Sequence, residues 1–209
     1  MAVLNWRPGS LLFALFLVSL GCQKSKPIRK PVNSPELKYW MSEIQEGDII
    51  FRHGYGAVSD WINAQQLSPF NVSHAGLVVR LNQSWIVIHS ISGILEAEDG
   101  VQASSLNQFL MEAQPQTVFI VRPNLAQKNR QLAVQNAWAC LKKGVRFDHH
   151  FNANDPSYMY CSEFIFYCYK MRGNIGARQH PNTDFKVLTD TAFGKRIAPV
   201  IPWKETQVH

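Results

Sequence analysis

Two β-branched runs separated by only two residues place the tightest limit on what this 209-residue chain can fold into. They are SHAGLVVRL, residues 73–81, and SWIVIHSI, residues 84–91, with Asn82-Gln83 between them. Valine and isoleucine suit pleated, half-buried backbone, and a two-residue connection between such runs closes as a tight antiparallel hairpin. Each run also carries a histidine. His74 lies eight residues before Asn82 and His89 six after Gln83, so the two stand at roughly matching heights; a slip of one residue would turn one of them to the opposite face.

Shorter elements surround the hairpin. ELKYWMSEI has helical spacing, a Gly47-Asp48 turn feeds the strand IIFR, and VSDWINAQQ reads as a short helix capped at Ser59. A turn at Glu98-Asp99-Gly100 leads to Val101-Gln102, SSLNQFLMEA is a helix capped by Ser104 or Ser105, and TVFIVRP is a strand ended by Pro123. The longest helix is AQKNRQLAVQNAWACLKKG, with Leu132, Ala133, Asn136, Ala137 and Cys140 at helical intervals and Gly144 as its stop. VRFDHHF is a short extended piece, and CSEFIFYCYKMRG reads as a helix from near Cys161 to Gly173. KVLTDTA gives a helical turn and GKRIAPVIPW a final strand. No internal repeat or second domain boundary interrupts this order, which is α+β: a small antiparallel sheet packed against helices.

The composition is globular, 46% hydrophobic and 17% charged with a net charge of +6. Four of the basic residues, Lys24, Lys26, Arg29 and Lys30, share one short N-terminal segment instead of a periodic face, which argues against a nucleic-acid partner. Before that segment, SLLFALFLVSLGC is an apolar stretch too short to span a bilayer and of the length found in signal peptides. Its end, Gly21-Cys22, resembles the lipobox of bacterial lipoproteins, although Ser19 stands where that motif usually has Leu. The resemblance implies a signal peptide over residues 1–21, a lipidated Cys22, a flexible basic tether over 22–35 and a folded domain over 36–209. Gln23 in place of Asp implies the bacterial outer membrane, with the domain lipid-anchored and facing the periplasm. An ordinary secretory signal with an incidental cysteine is the other reading.

With Cys22 acylated, Cys140, Cys161 and Cys168 remain, and an odd number in an oxidising compartment leaves at least one thiol unpaired. Cys161 follows the Pro156-Ser157 turn at a predicted helix start, where unpaired N–H groups and the helix dipole favour a thiolate. Cys168 and Cys140 read as packed core thiols, with a disulfide between them left open. A nucleophilic thiol needs a base. His74 opens a strand just before the small pair Ala75-Gly76, and His89 on the next strand can hold its ring in one tautomer. Tyr160 and Glu163 flank the cysteine as supporting residues; Glu163 either hydrogen-bonds around the helix start or is a solvated first-turn carboxylate. His53 follows the first strand and can line a cleft. His149-His150 sit on an extended segment where neighbours face opposite ways, and no Cys or His pair has zinc-site spacing, so neither a metal nor a cofactor is expected.

In order along the chain, GDIIFR, SHAGLVV, WIVIHS with GVQ downstream, RFDHHF and YCSEFIFYCY resemble the motifs of the permuted papain-like cysteine hydrolases of the NlpC/P60 superfamily, in particular the YaeF/YiiX group. The resemblance covers residues 46–173. In ordinary NlpC/P60 enzymes the cysteine precedes the histidine, whereas here His74 precedes Cys161 by 87 residues, the permuted order. The resemblance implies a circularly permuted papain-like fold, Cys161 as nucleophile, His74 as base and a polar third residue on the following strand. That residue is often Glu followed by Ala in the YaeF/YiiX group. His89-Ser90 here is more similar to the lecithin-retinol acyltransferase arrangement. Asp148 occupies the family's aspartate position before the catalytic helix and reads as a turn or cap residue. The activity implied is a cysteine hydrolase or amidase working through a thioester on cell-wall peptide amides. A lipid acyltransferase or lipase, and a catalytically silent binding lipoprotein, are the alternatives.

Overall fold

A computed structural model describes residues 35–93, 99–151, 155–171 and 181–197. The leader, Cys22 and the tether to residue 34 lie outside the described residues, as do Glu98 of the predicted turn and Gly173.

The hairpin forms as its sequence requires. β2 (His74–Leu81) and β3 (Ser84–Ile91) pair with Leu81 opposite Ser84 and Leu77 opposite Ile88. Asn82 and Gln83 both take positive φ, 46° and 68°, the two-residue turn whose twist matches that of the strands. β1 (Ile49–Arg52) pairs antiparallel with β2 on one side and with β5 (Phe119–Pro123) on the other. β4 (Gly100–Ser105) pairs with β3, and β6 (Gly194–Arg196) closes the far edge, giving the order β4-β3-β2-β1-β5-β6.

Helices cover both faces of this sheet. On one, Phe51, Ala75, Leu77 and Ile88 pack against Ala133, Ala137 and Cys140 of α4 (Gln127–Lys143) and against Phe164, Ile165 and Cys168 of α5 (Cys161–Cys168). On the other, Ile50, Val78, Val87 and Ile120 pack against Trp40 of α1 (Pro35–Glu43) and against Phe109 and Leu110 of α3 (Leu106–Met111). Each buried Val, Leu, Ile or Phe side chain among these contributes on the order of 1.5–3 kcal/mol through the apolar surface it removes from water. Gly144 ends α4 at φ 66°, a left-handed position that its missing Cβ makes accessible. No helix among the described residues is long and apolar enough to cross a membrane.

Several boundaries differ from the sequence expectation. α2 (Ala57–Gln65) starts directly after Gly56, whose carbonyl accepts from Asp60 N–H at 3.0 Å, so Ser59 lies buried inside the helix instead of capping it. β4 is a full strand, because its ladder with β3 continues to Ser105. Ser105 then caps α3, its Oγ accepting from Gln108 N–H at 3.1 Å, and Ser104 stays in the strand. α5 stops at Cys168: Lys170 turns left-handed at φ 52° and Met171 N–H closes back onto the Phe166 carbonyl at 2.9 Å. The tail helix α6 (Pro181–Thr189) is more than the turn expected.

Candidate active site

The hairpin puts both histidines on the sheet face that α3 covers. Side chains alternate along a strand, so His74 shares a face with Gly76 and Val78, and His89 with Val87. The two are not directly opposed, as near-register pairing would have them, but diagonal: Nε2 of His74 lies 2.9 Å from Nδ1 of His89. Gly76 stands between them. A Cβ there would meet Val87 Cγ1 at 2.3 Å and His89 Cβ at 3.2 Å, so only glycine leaves His89 its place. Nε2 of His89 in turn lies 2.8 Å from Oγ of Ser104. The rings also pack against Phe109, and above that ring, 4.3 Å from its centre, sits the buried Arg52 guanidinium, bonded to Glu112 at 2.6 Å. Burial, then the Arg52 charge and then His89 hold the His74 pKa well below its ordinary value. Burial and Arg52 lower His89 to about 3. Both rings are therefore neutral near pH 7.

Cys161 reaches the same end of the sheet from the other layer. It opens α5, and the backbone N–H groups of Ala75, Ser162 and Cys161 itself point at its sulfur. Ala75 is the residue after His74, so the thiol and the imidazole belong to one corner of the fold. Among the described residues no hydrogen bond joins them directly. The helix start was expected to lower the thiol's pKa; instead it is pushed up to about 11. Burial outweighs the three N–H groups, and the Asp184 carboxylate adds to the rise.

The N-terminus of α5 is built from buried polar groups. Glu163 is fully buried, not solvated, and accepts from Tyr160 N–H at 3.3 Å. Asp184 of α6, also buried, accepts from Tyr160 Oη and Ser162 Oγ, each at 3.0 Å, and so grips the residues on both sides of the cysteine. Cys161 lies on the wall of a cavity of about 380 Å³, whose other walls include Trp61 and Ile62 of α2, Phe147, Phe151 and Phe185.

The other sequence candidates take structural places. Asp148 Oδ1 accepts from His150 N–H at 2.8 Å, the turn role expected of it. His149 turns to Asp99 at 2.9 Å while His150 lines the cavity. His53 does not line the cavity; it is buried near Asp60, with Nε2 3.1 Å from the carboxylate. Cys140 and Cys168 are free buried thiols with no disulfide between them, and burial raises the pKa of both, Cys140 to about 11. Among the described residues no three His, Cys, Asp or Glu side chains converge to hold a metal. Ser104 and Asp184 were not found from the sequence as site residues. Ser104 carries only a capping signal there, and Asp184 lies 23 residues beyond Cys161 with no motif between them.

The chain is similar to the crystal structure of the metalloprotein yiiX from Escherichia coli O157:H7, at 20% identity and a TM-score of 0.52, covering 75% of this chain and 89% of that one. That likeness shows the fold. No curated protein matches. The model of a permuted papain-like amidase family, YaeF/YiiX, C92, matches residues 43–208, a span that holds the hairpin histidines, the cysteine at the start of α5 and Asp184. A cysteine hydrolase fold carrying its thiol after its histidine thus has its place among known proteins, and the chain belongs to the permuted papain-like amidases of the YaeF/YiiX, C92 family.

Proposed function

We propose that Cys161 is the nucleophile of an amidase in which His74 is the base and His89 its orienting partner. The observation that carries this reading is the placement of the Cys161 thiol on the cavity wall, against the N–H of the residue following His74, whose ring is tied to His89. With Nε2 turned to His89, Nδ1 is the His74 nitrogen left to take a proton. It can accept one only if Nε2 carries hydrogen and donates to His89 Nδ1, and His89 then donates from Nε2 to Ser104 Oγ. The chain His74, His89, Ser104 thus holds the base in its working tautomer.

Thiol and imidazole both rest neutral, so attack and proton transfer are coupled. As sulfur bonds the carbonyl carbon, its proton passes to His74 Nδ1, and the Cys161 N–H faces the developing oxyanion. The imidazolium returns the proton to the departing amine and leaves a thioester, which water, deprotonated by His74, then hydrolyses. The substrate we assign is a cell-wall peptide amide, met from a lipid anchor on Cys22 in the outer membrane, within the periplasm. The test is muropeptide release by the wild type against Cys161→Ala and His74→Ala: both variants should lose at least a thousandfold in turnover. Full turnover by Cys161→Ala would sink the reading. A second reading, lipid acyl transfer or lipase action, is favoured by the aromatic walls of the cavity. Mass spectrometry of Cys161 after exposure to phospholipid separates the two, because an acyl adduct supports the lipid.

A further inference from the structure

The cavity beside Cys161 is apolar on most of its surface, with Trp61, Ile62, Phe151 and Phe185 as its main walls. Among its polar lining residues, which include Gln65, His150 and Ser162, Gln66 stands out. Oε1 of Gln66 is enclosed and has no hydrogen-bond partner. A buried acceptor without a donor is unfavourable by about as much as a lost hydrogen bond, and native structures hold few of them. Nor is the residue loosely placed. Gln66 ends α2, its own N–H bonded to the Asn63 carbonyl at 3.2 Å, and the Asn63 side chain accepts from Val72 N–H at 2.8 Å.

We propose that Gln66 is the specificity residue of this site and reads a substrate N–H: the group seated in the cavity is apolar and is joined through a secondary amide, which donates to Gln66 Oε1. The inference rests on Cys161 being the nucleophile, and it names the acyl side of the substrate as peptide-like. An ester oxygen at the same position has no hydrogen to give, and its lone pairs would face those of Oε1. Lipid esters of the same apolar size are therefore disfavoured, while an amide-linked apolar residue meets both the walls and the acceptor.

The full-length protein can be tested with two coumarin anilides sharing one scissile bond, hexanoyl-glycine and hexanoyl-glycolate 7-amino-4-methylcoumarin, which differ only in N–H against O. The wild type should favour the glycine compound by about tenfold in kcat/KM, the worth of one hydrogen bond to an otherwise unpaired buried acceptor. Gln66→Met should bring that ratio to within about twofold of one, whereas Gln66→Glu, which keeps an acceptor, should retain the preference. A wild-type ratio near one, or a ratio that Gln66→Met leaves unchanged, overturns the assignment. If Cys161→Ala cleaves the probes like the wild type, the hydrolase reading fails on its own. Gln66 is then judged by binding, as it is where neither probe is cleaved: the glycine compound should shield Cys161 from iodoacetamide at about tenfold lower concentration than the glycolate, and equal shielding overturns the proposal.

Discussion

A buried cysteine at a helix start is subject to two opposed electrostatic effects. The N–H groups of Ala75, Ser162 and Cys161 favour the thiolate, and burial together with the Asp184 carboxylate opposes it. Burial wins because desolvating a full charge is a larger effect than a few oriented dipoles can offset. The consequence is a thiol that stays protonated in the resting protein, so slow alkylation is compatible with the role proposed for Cys161. Asp184→Asn separates charge from scaffolding. The amide oxygen can still accept from Tyr160 and Ser162, while the negative charge is gone, so alkylation of Cys161 by iodoacetamide at pH 8 should rise about two- to tenfold, one pKa unit being a factor of ten in thiolate. Peptide mapping of the alkylated protein reads this out, and an unchanged rate would mean that the charge does not reach the sulfur. At this scale the sequence shows the residues whose type is itself chemical: Cys161 at a helix start, His74 and His89 on adjacent strands. Ser104 and Asp184 were hidden because serine and aspartate are common caps, and their partners are set by packing.

The β2–β3 hairpin is the element on which the proposed base depends. Its two-residue turn fixes the register, the register fixes which side chains share a face, and Gly76 supplies the gap that lets His89 reach diagonally to His74. Gly76→Ala should therefore cost about 1–3 kcal/mol of stability, since the new methyl meets Val87 Cγ1 at 2.3 Å and the Ile88 carbonyl at 3.3 Å. Because His89 Cβ lies 3.2 Å from the same methyl, turnover should fall further than the lost stability alone explains. A urea midpoint beside kcat at a temperature where the variant is fully folded tests both, and Gly76→Ala combined with Val87→Ala should be less harmful than the sum of the two. The hairpin was legible because β-branched residues, a two-residue gap and alternation all point to one geometry. The start of α2 and the ends of β4 and α5 were less so. Gly56, the β3–β4 ladder and the left-handed turn at Lys170 set them, and each depends on neighbours that a linear pattern does not display.

At the scale of the molecule, the thiol and the imidazoles come from different layers. Cys161 belongs to the cluster between the sheet and α4–α5, while His74 and His89 are enclosed between the sheet and α3. They meet only when all three layers are assembled, so protonating the histidine pair is tied to losing the fold as a whole. The direction follows from the lowered pKa values. The unfolded chain takes up a proton at each histidine as the pH drops below about 6.5, whereas the folded pair, beside Arg52, refuses it, His89 down to about 3. The stability this pair contributes is thus present above about pH 6.5 and is lost as the pH falls, by up to about 1.4 kcal/mol per pH unit for each histidine. His89→Gln removes one titrating ring and keeps a side chain that can bond to both neighbours. The urea midpoint of the wild type should fall more steeply than that of His89→Gln between pH 6.5 and 4, with carboxylates common to both proteins cancelling in the comparison. Parallel slopes would mean that the ring is protonated in the folded protein, and that the site holds a second cation beside Arg52 despite burial.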